Sequence, residues 1–247
     1  MQGERSIGQT WTGAVLALAA VSLISGCVGP QGFEFRGTTA LSFLRTIRES
    51  KDPNVRYAAY DSLRSPNVYD GDNQKAETAK LLVANMRSGK EPTATRAVIC
   101  RTLGSLGRPE ARQAILAATE DDDALVRAEA CRALGRVGQT EDATILARVM
   151  TVDTSGECRI AAIESLGTLK AKDRRINEFL VAGMEHEDPA IRVACLHALR
   201  SITGKDLGVE ALPWKKYVES LHPPEAPKAD PATIEAKATT TKPGKPR

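Results

Sequence analysis

The sequence predicts an all-α protein, a right-handed α-solenoid of about five helical hairpins with a C-terminal capping helix. Three observations predict this fold. An arginine recurs along the chain, an apolar stripe with helical periodicity accompanies each copy, and aromatic residues make up only 4% of the 247 residues. With so few aromatic side chains, Ala and Leu must fill the core, which favours closely packed helices over a β-sandwich.

The repeat appears when the chain is aligned on five arginines that are spaced 40, 31, 32 and 33 residues apart. A leucine stands seven positions after each arginine, and small or apolar residues stand one position before and three after it. These offsets lie on one stripe of an α-helix. The arginines are Arg56, Arg96, Arg127, Arg159 and Arg192, and the leucines are Leu63, Leu103, Leu134, Leu166 and Leu199.

The ends of these helices are marked as well. Asp52 and Asp188 each precede a proline, which predicts an N-cap followed by the first helical residue. Gly107, Gly138 and Gly204 are expected to end helices. A second amphipathic segment precedes each marked helix, so the unit is a helical hairpin, and hairpins must stack to cover their apolar stripes. The arginines recur beside Asp-rich turns, which predicts an Asp–Arg ladder between neighbouring repeats.

Segments such as "DPNVRYAAYDSL" and "DDALVRAEACRALGRVG" resemble HEAT repeats, in particular the short bacterial kind also seen in phycobilin lyases. The resemblance covers residues 39–204, which we interpret as the repeat solenoid. Residues 205–222 resemble a segment that often follows bacterial HEAT arrays, and we predict a cap there that includes Trp214. Residues 223–247 contain six prolines and almost no large apolar residues, which predicts a disordered tail.

The N-terminus resembles the signal peptide of bacterial lipoproteins. Residues 13–24 are apolar, too short a run for the roughly 20 residues of a membrane-spanning helix, and "ISGC" after them resembles a lipobox. The resemblance implies a signal peptide over 1–26, a lipidated Cys27 and a tether over 27–38. A plain secretory signal and a buried apolar segment remain as alternatives. Because Cys27 is not followed by Asp, we expect a lipid-anchored protein of the bacterial cell envelope, at the outer membrane facing the periplasm.

We predict no catalytic residue, metal site or cofactor. Cys195 and His197 lie about 200° apart around their helix, too far for a nucleophile–base pair. Cys195 shares its repeat position with small core residues. Cys100 and Cys131 are expected to be buried thiols, while a disulfide between Cys158 and Cys195 stays open.

Other classes of function are excluded by further patterns. HEAT-like di-iron hydroxylases carry His-Glu just after the repeat arginine, whereas the only His-Glu here, His186–Glu187, stands in a turn before a helix. The chain has no glycine-rich phosphate loop and no serine hydrolase signature. A net charge of +3 on 65 charged residues is too balanced to indicate nucleic acid.

What remains is a binding surface. In HEAT stacks the second helix of each hairpin lines the concave side. The resemblance therefore implies that residues one, five and nine positions after each repeat arginine are exposed and form a groove with a basic centre. Ala97 and Ala128 are among the residues one position after the arginine. The resemblance implies a membrane-anchored scaffold or adaptor for an acidic or extended polypeptide of unknown identity. The alternative is a lyase- or hydrolase-type enzyme on a HEAT-repeat frame. The candidate groove residues are Tyr57, Arg101, Arg132, Arg136, Glu164 and His197.

Overall fold

The computed structural model describes residues 39–221, and all regular structure within that range is helical. The predictions for residues 1–38, including lipidation of Cys27, and for residues 222–247 lie outside the described residues. The α-helices are α1 (Ala40–Glu49), α2 (Pro53–Ser62), α3 (Asp72–Arg87), α4 (Thr93–Leu106), α5 (Arg112–Ala118), α6 (Ala124–Val137), α7 (Ala143–Val152), α8 (Gly156–Leu169), α9 (Arg174–Gly183), α10 (Pro189–Thr203) and α11 (Ala211–Leu221).

The first ten helices pack as five hairpins, each made of an odd-numbered first helix and the even-numbered second helix that follows it. The second helices also contact one another in sequence, from α2 through α4, α6 and α8 to α10. The predicted all-α solenoid is therefore confirmed. No helix within residues 39–221 is both long and apolar enough to cross a membrane.

The helix ends follow from local chemistry. The side chains of Asp52 and Asp188 each accept a hydrogen bond at 2.8 Å from the backbone N–H two residues later, which makes them the predicted N-caps of α2 and α10. Gly107 and Gly204 end α4 and α10 in the left-handed conformation, with φ of 64° and 68°. Gly138 ends α6 in an extended conformation, with φ of −72° and ψ of 169°, and glycine is required there because a Cβ would lie 2.4 Å from the backbone oxygen of Leu134.

One continuous core runs through the described chain, and the second helices are its most buried elements. On α6, buried residues occur on several sides because that helix packs against α4, α5 and α8. Ala97 and Ala128 are buried, at 2% and 0% exposure, so the prediction that they lie on the exposed face is wrong. Both lie on second helices, which pack against one another in sequence.

Glycines permit this close approach. A Cβ added at Gly104 would lie 2.8 Å from the Cα of Ala133 on the next second helix, and one at Gly135 would lie 3.0 Å from the Cα of Ser165. Hydroxyl groups join the same helices, since Ser165 Oγ donates a hydrogen bond at 2.8 Å to the backbone oxygen of Cys131. The second helices therefore pack almost backbone to backbone.

The last helix covers the final hairpin. α11 packs against α9, and Trp214 on α11 is completely buried. Its indole Nε1 donates a hydrogen bond at 3.0 Å to the backbone oxygen of Gly208, so the polar atom of this large side chain is satisfied.

Candidate protein-binding surface

The six candidate groove residues lie on successive second helices, from α2 to α10. We call the exposed surface of these helices the second-helix face. Arg136, Glu164 and His197 are exposed on it, and Tyr57 is 37% exposed. Arg101 and Arg132 are only partly exposed, because both side chains pack against the carboxylate of Glu129. This residue lies on the helix next to that of Arg101 and on the same helix as Arg132.

The centre of this face is a charge network rather than a basic patch. Arg101 donates from Nε and Nη2 to the two carboxylate oxygens of Glu129, at 3.1 and 2.7 Å. Arg132 contacts the same Glu129 carboxylate at 3.3 Å and also pairs with Glu157. Two arginines and two glutamates therefore balance one another, and of the three arginines predicted at the centre only the exposed Arg136 makes no ion pair within residues 39–221.

Neither glutamate of this network is among the groove residues predicted from the sequence, and Glu129 is the more deeply buried of the two. It is only 6% exposed, and its hydrogen bond raises the pKa of the Arg101 guanidinium. The sequence holds a signal for Glu129, because it is the only acidic residue two positions after a repeat arginine. The equivalent residues of the other repeats are Ala58, Val98, Ala161 and Ala194.

Apolar side chains flank the network. Leu125 on α6 and Val193 on α10 are 46% and 53% exposed. Ile160 on α8 is partly exposed between them along the chain. Protein–protein interfaces combine an apolar core with a polar rim and are enriched in Arg, and this face offers apolar side chains together with arginines.

The repeat arginines form a ladder at the turns that precede the second helices. Arg56, Arg96 and Arg127 each pair with a carboxylate of the next repeat, supplied by Glu91, Asp121 and Asp153. Arg127 holds Asp153 in a fork, with Nε to Oδ2 at 2.8 Å and Nη2 to Oδ1 at 3.0 Å. The hydrogen bond from Arg127 lowers the pKa of Asp153 below its usual value.

The last two arginines differ from these three. The Arg192 guanidinium donates to the backbone oxygens of His186 and Glu187, at 2.8 and 2.9 Å, as Arg127 does to the preceding turn. It makes no ion pair, since no further repeat in residues 39–221 supplies an acid. The Arg159 side chain makes no hydrogen bond with any residue in that range, and its Nε is buried from solvent. At the place of the expected acid stands His186.

The cysteines within residues 39–221 are buried and unpaired, including Cys158 and Cys195. Burial raises the pKa of Cys100, Cys131 and Cys195 to about 12, so these thiols stay protonated and weakly nucleophilic near neutral pH. No group of three or more His, Cys, Asp or Glu side chains in this part of the chain is arranged to hold a metal ion.

Comparison with known proteins agrees with this architecture. A family model described as HEAT repeats matches residues 79–167, the segment that runs from α3 to α8. The described chain is a helical solenoid, and residues 79–167 of it match HEAT repeats. No curated protein matches the sequence.

Proposed function

We propose that the protein is a non-catalytic, membrane-anchored scaffold or adaptor that binds another protein through the second-helix face. HEAT repeats commonly serve as protein-interaction scaffolds. The observation that carries the proposal is the composition of this face, where exposed Leu125 and Val193 flank a neutral network of arginines and glutamates. Such a surface suits a partner that buries apolar side chains and adds a few polar contacts, rather than a strongly charged one.

The burial and protonation of Cys195, together with the exposure of His197, support a non-catalytic protein in this proposal. The Cys195 thiol is buried and held in its neutral form, while His197, two residues later, is exposed. Neither residue has the activated partner that nucleophilic catalysis requires. A lyase or hydrolase on this frame remains the alternative. It would be favoured if the purified protein carried a stoichiometric metal or cofactor and captured no partner.

The membrane anchor in the proposal is supported by the sequence, in the short apolar run and the lipobox-like residues before Cys27. Metabolic labelling with a radioactive fatty acid tests it. We expect label on the wild-type protein and none on Cys27→Ser, with the label recovered from outer membranes. Unlabelled wild-type protein in the soluble fraction would overturn the anchor and leave the scaffold proposal standing.

Site-specific photocrosslinking tests the binding face. A photoreactive amino acid at Val193 should crosslink a discrete partner in cells, and one at Leu125 should crosslink the same partner. Phe179 is a matched control, since it is 50% exposed but lies on the first helix α9. Equal crosslinking from residue 179 would show that the second-helix face is not the docking surface.

Charge variants provide a second test of the same face. Arg136 and Glu164 are exposed and make no side-chain ion pair within residues 39–221, so changing them leaves the buried network intact. We expect Arg136→Glu with Glu164→Lys to weaken partner capture without changing the free energy of unfolding. Arg101→Glu is a poor probe by comparison, because it would place a second negative charge beside the buried Glu129.

A further inference from the structure

A recurring turn places one polar side chain just before most second helices. In four of the five repeats this side chain accepts a hydrogen bond from the backbone N–H two residues later, at 2.9 to 3.1 Å. The acceptors are Ser50 Oγ, Asp121 Oδ1, Asp153 Oδ1 and His186 Nδ1. His186 therefore occupies the turn position that a carboxylate occupies in the two preceding repeats.

That carboxylate has a second task, since it also binds the arginine of the preceding repeat. The imidazole of His186 cannot do the same for Arg159. Its Nδ1 accepts the hydrogen bond from Asp188, so the neutral ring carries its proton on Nε2 and has no free acceptor. No residue at this step of the ladder supplies an acceptor to Arg159, and its Nε is buried without a hydrogen-bond partner among residues 39–221.

The space beside Arg159 is open on at least one side. Gly156 begins α8, and the only neighbouring atom within 4 Å of a Cβ added there is Nη2 of Arg159, at 4.0 Å. A planar guanidinium binds a carboxylate through two parallel hydrogen bonds. Arg96 and Arg127 bind aspartates in this way, at 2.8 to 3.2 Å.

We propose that Arg159 and His186 form a carboxylate-binding site that accepts an acidic side chain from a partner protein. The carboxylate would take the place that Asp121 and Asp153 fill in the preceding repeats, with Arg159 donating from its fork and His186 donating from Nε2. That the carboxylate comes from a partner protein rests on the proposed scaffold function, whereas the existence of the carboxylate-binding site does not.

The site can be tested without a partner, by titrating the purified protein with sodium acetate at constant ionic strength. The readout is the Nε–Hε signal of each arginine in nitrogen-15 NMR spectra, with the Arg159 signal assigned from its loss in Arg159→Lys. We expect this signal to saturate at about tenfold lower acetate than that of the exposed Arg175, a difference of about 1.4 kcal/mol. Sodium chloride should not reproduce the shift, and the Arg127 signal should stay unchanged.

An isosteric pair of variants provides the control. His186→Asp supplies the missing carboxylate, so the Arg159 signal should move to the region of Arg96 and Arg127 without acetate and should no longer respond to it. His186→Asn keeps the turn acceptor and an N–H donor but adds no charge, and should bind acetate like the wild type. Both variants should unfold cooperatively, with His186→Asp the more stable of the two.

Two results would overturn the site. One is an Arg159 signal that responds to acetate no more strongly than the Arg175 signal. The other is a His186→Asp variant in which the Arg159 signal still titrates. Either result leaves the scaffold proposal untouched, since that is judged by crosslinking at Val193. Conversely, a saturable acetate site with no crosslinked partner would uphold the site and overturn the scaffold.

Discussion

Gly104 on α4 lies so close to Ala133 on α6 that a Cβ at residue 104 would be 2.8 Å from the Cα of Ala133. The contact is with backbone, which cannot turn aside as the end of a flexible side chain can. The relation recurs two repeats later at Gly167 on α8, where a Cβ would lie 3.0 Å from the Cα of Ala198 on α10. These glycines fix the distance between neighbouring second helices.

We predict that Gly104→Ala lowers the free energy of unfolding by about 1–3 kcal/mol, because it overpacks a backbone contact. Alanine has the better helix propensity, by about 1 kcal/mol, so steric strain must outweigh that gain. Gly156→Ala is the matched control, since its nearest neighbouring atom would be 4.0 Å away. Urea denaturation of both variants measures the difference, and equal stabilities would contradict the close contact.

We predict that Asp153→Ala lowers the free energy of unfolding by about 2–3 kcal/mol, because it leaves the Arg127 fork without its acceptor. The Asp153 side chain is 8% exposed, so water cannot readily replace it. Asp122→Ala is the control, since Asp122 is exposed and accepts from Arg127 only through its backbone oxygen. If both variants lose the same stability, the ladder contributes nothing specific.

Stability should fall in acid for the same reason. The hydrogen bond from Arg127 lowers the pKa of Asp153 below 3.8, and Arg96 does the same for Asp121 against the opposing effect of burial. A carboxyl whose pKa is depressed in the folded state stabilises that state above its unfolded pKa, and this stabilisation is lost as the pH falls through the folded value. Urea denaturation between pH 7 and pH 2 should therefore show a decline below about pH 4.

The origin of that decline can be checked with Asp153→Asn. This variant has one fewer carboxyl group to protonate, so it should be less stable at pH 7 and should lose less stability on acidification. A parallel decline in the wild type and the variant would assign the acid sensitivity to other groups.

We predict that the buried cysteines are unreactive in the folded protein. With a pKa of about 12, Cys100, Cys131 and Cys195 are almost wholly protonated at pH 8 and are also shielded from solvent. A thiol reagent added to Cys27→Ser at pH 8 should modify none of them until denaturant is present, and then all of them. Rapid labelling of the native protein at Cys195 would reopen the case for a catalytic thiol.

The sequence was sufficient to predict the hairpins, their caps and the stacking order, because helical periodicity and capping chemistry are local. It was not sufficient to predict cross-helix partners. The positive charge expected at Arg101 and Arg132 is balanced by two glutamates. Glu129 on α6 contacts Arg101 across the helix pair and Arg132 on its own helix, and Glu157 on α8 pairs with Arg132. Burial of Ala97 depended in the same way on the distance between second helices, which periodicity does not report.

The ladder shows the same limit in another form. The recurrence of the arginines predicted acidic partners, and the structure places such partners on three of them. Arg159 has no acidic partner among residues 39–221, and the sequence shows a histidine, His186, in the turn where that acid is expected. Only the hydrogen bond from the Asp188 N–H to His186 Nδ1 shows that His186 takes the turn position of an aspartate.

The tight contacts between second helices have a mechanical consequence. Helices held backbone to backbone resist sliding and separation, whereas the first helices contact one another much less. We therefore expect the array to bend by changing the distances between first helices. The distance between Leu125 and Val193 on the second-helix face should then stay constant while the rest of the array flexes.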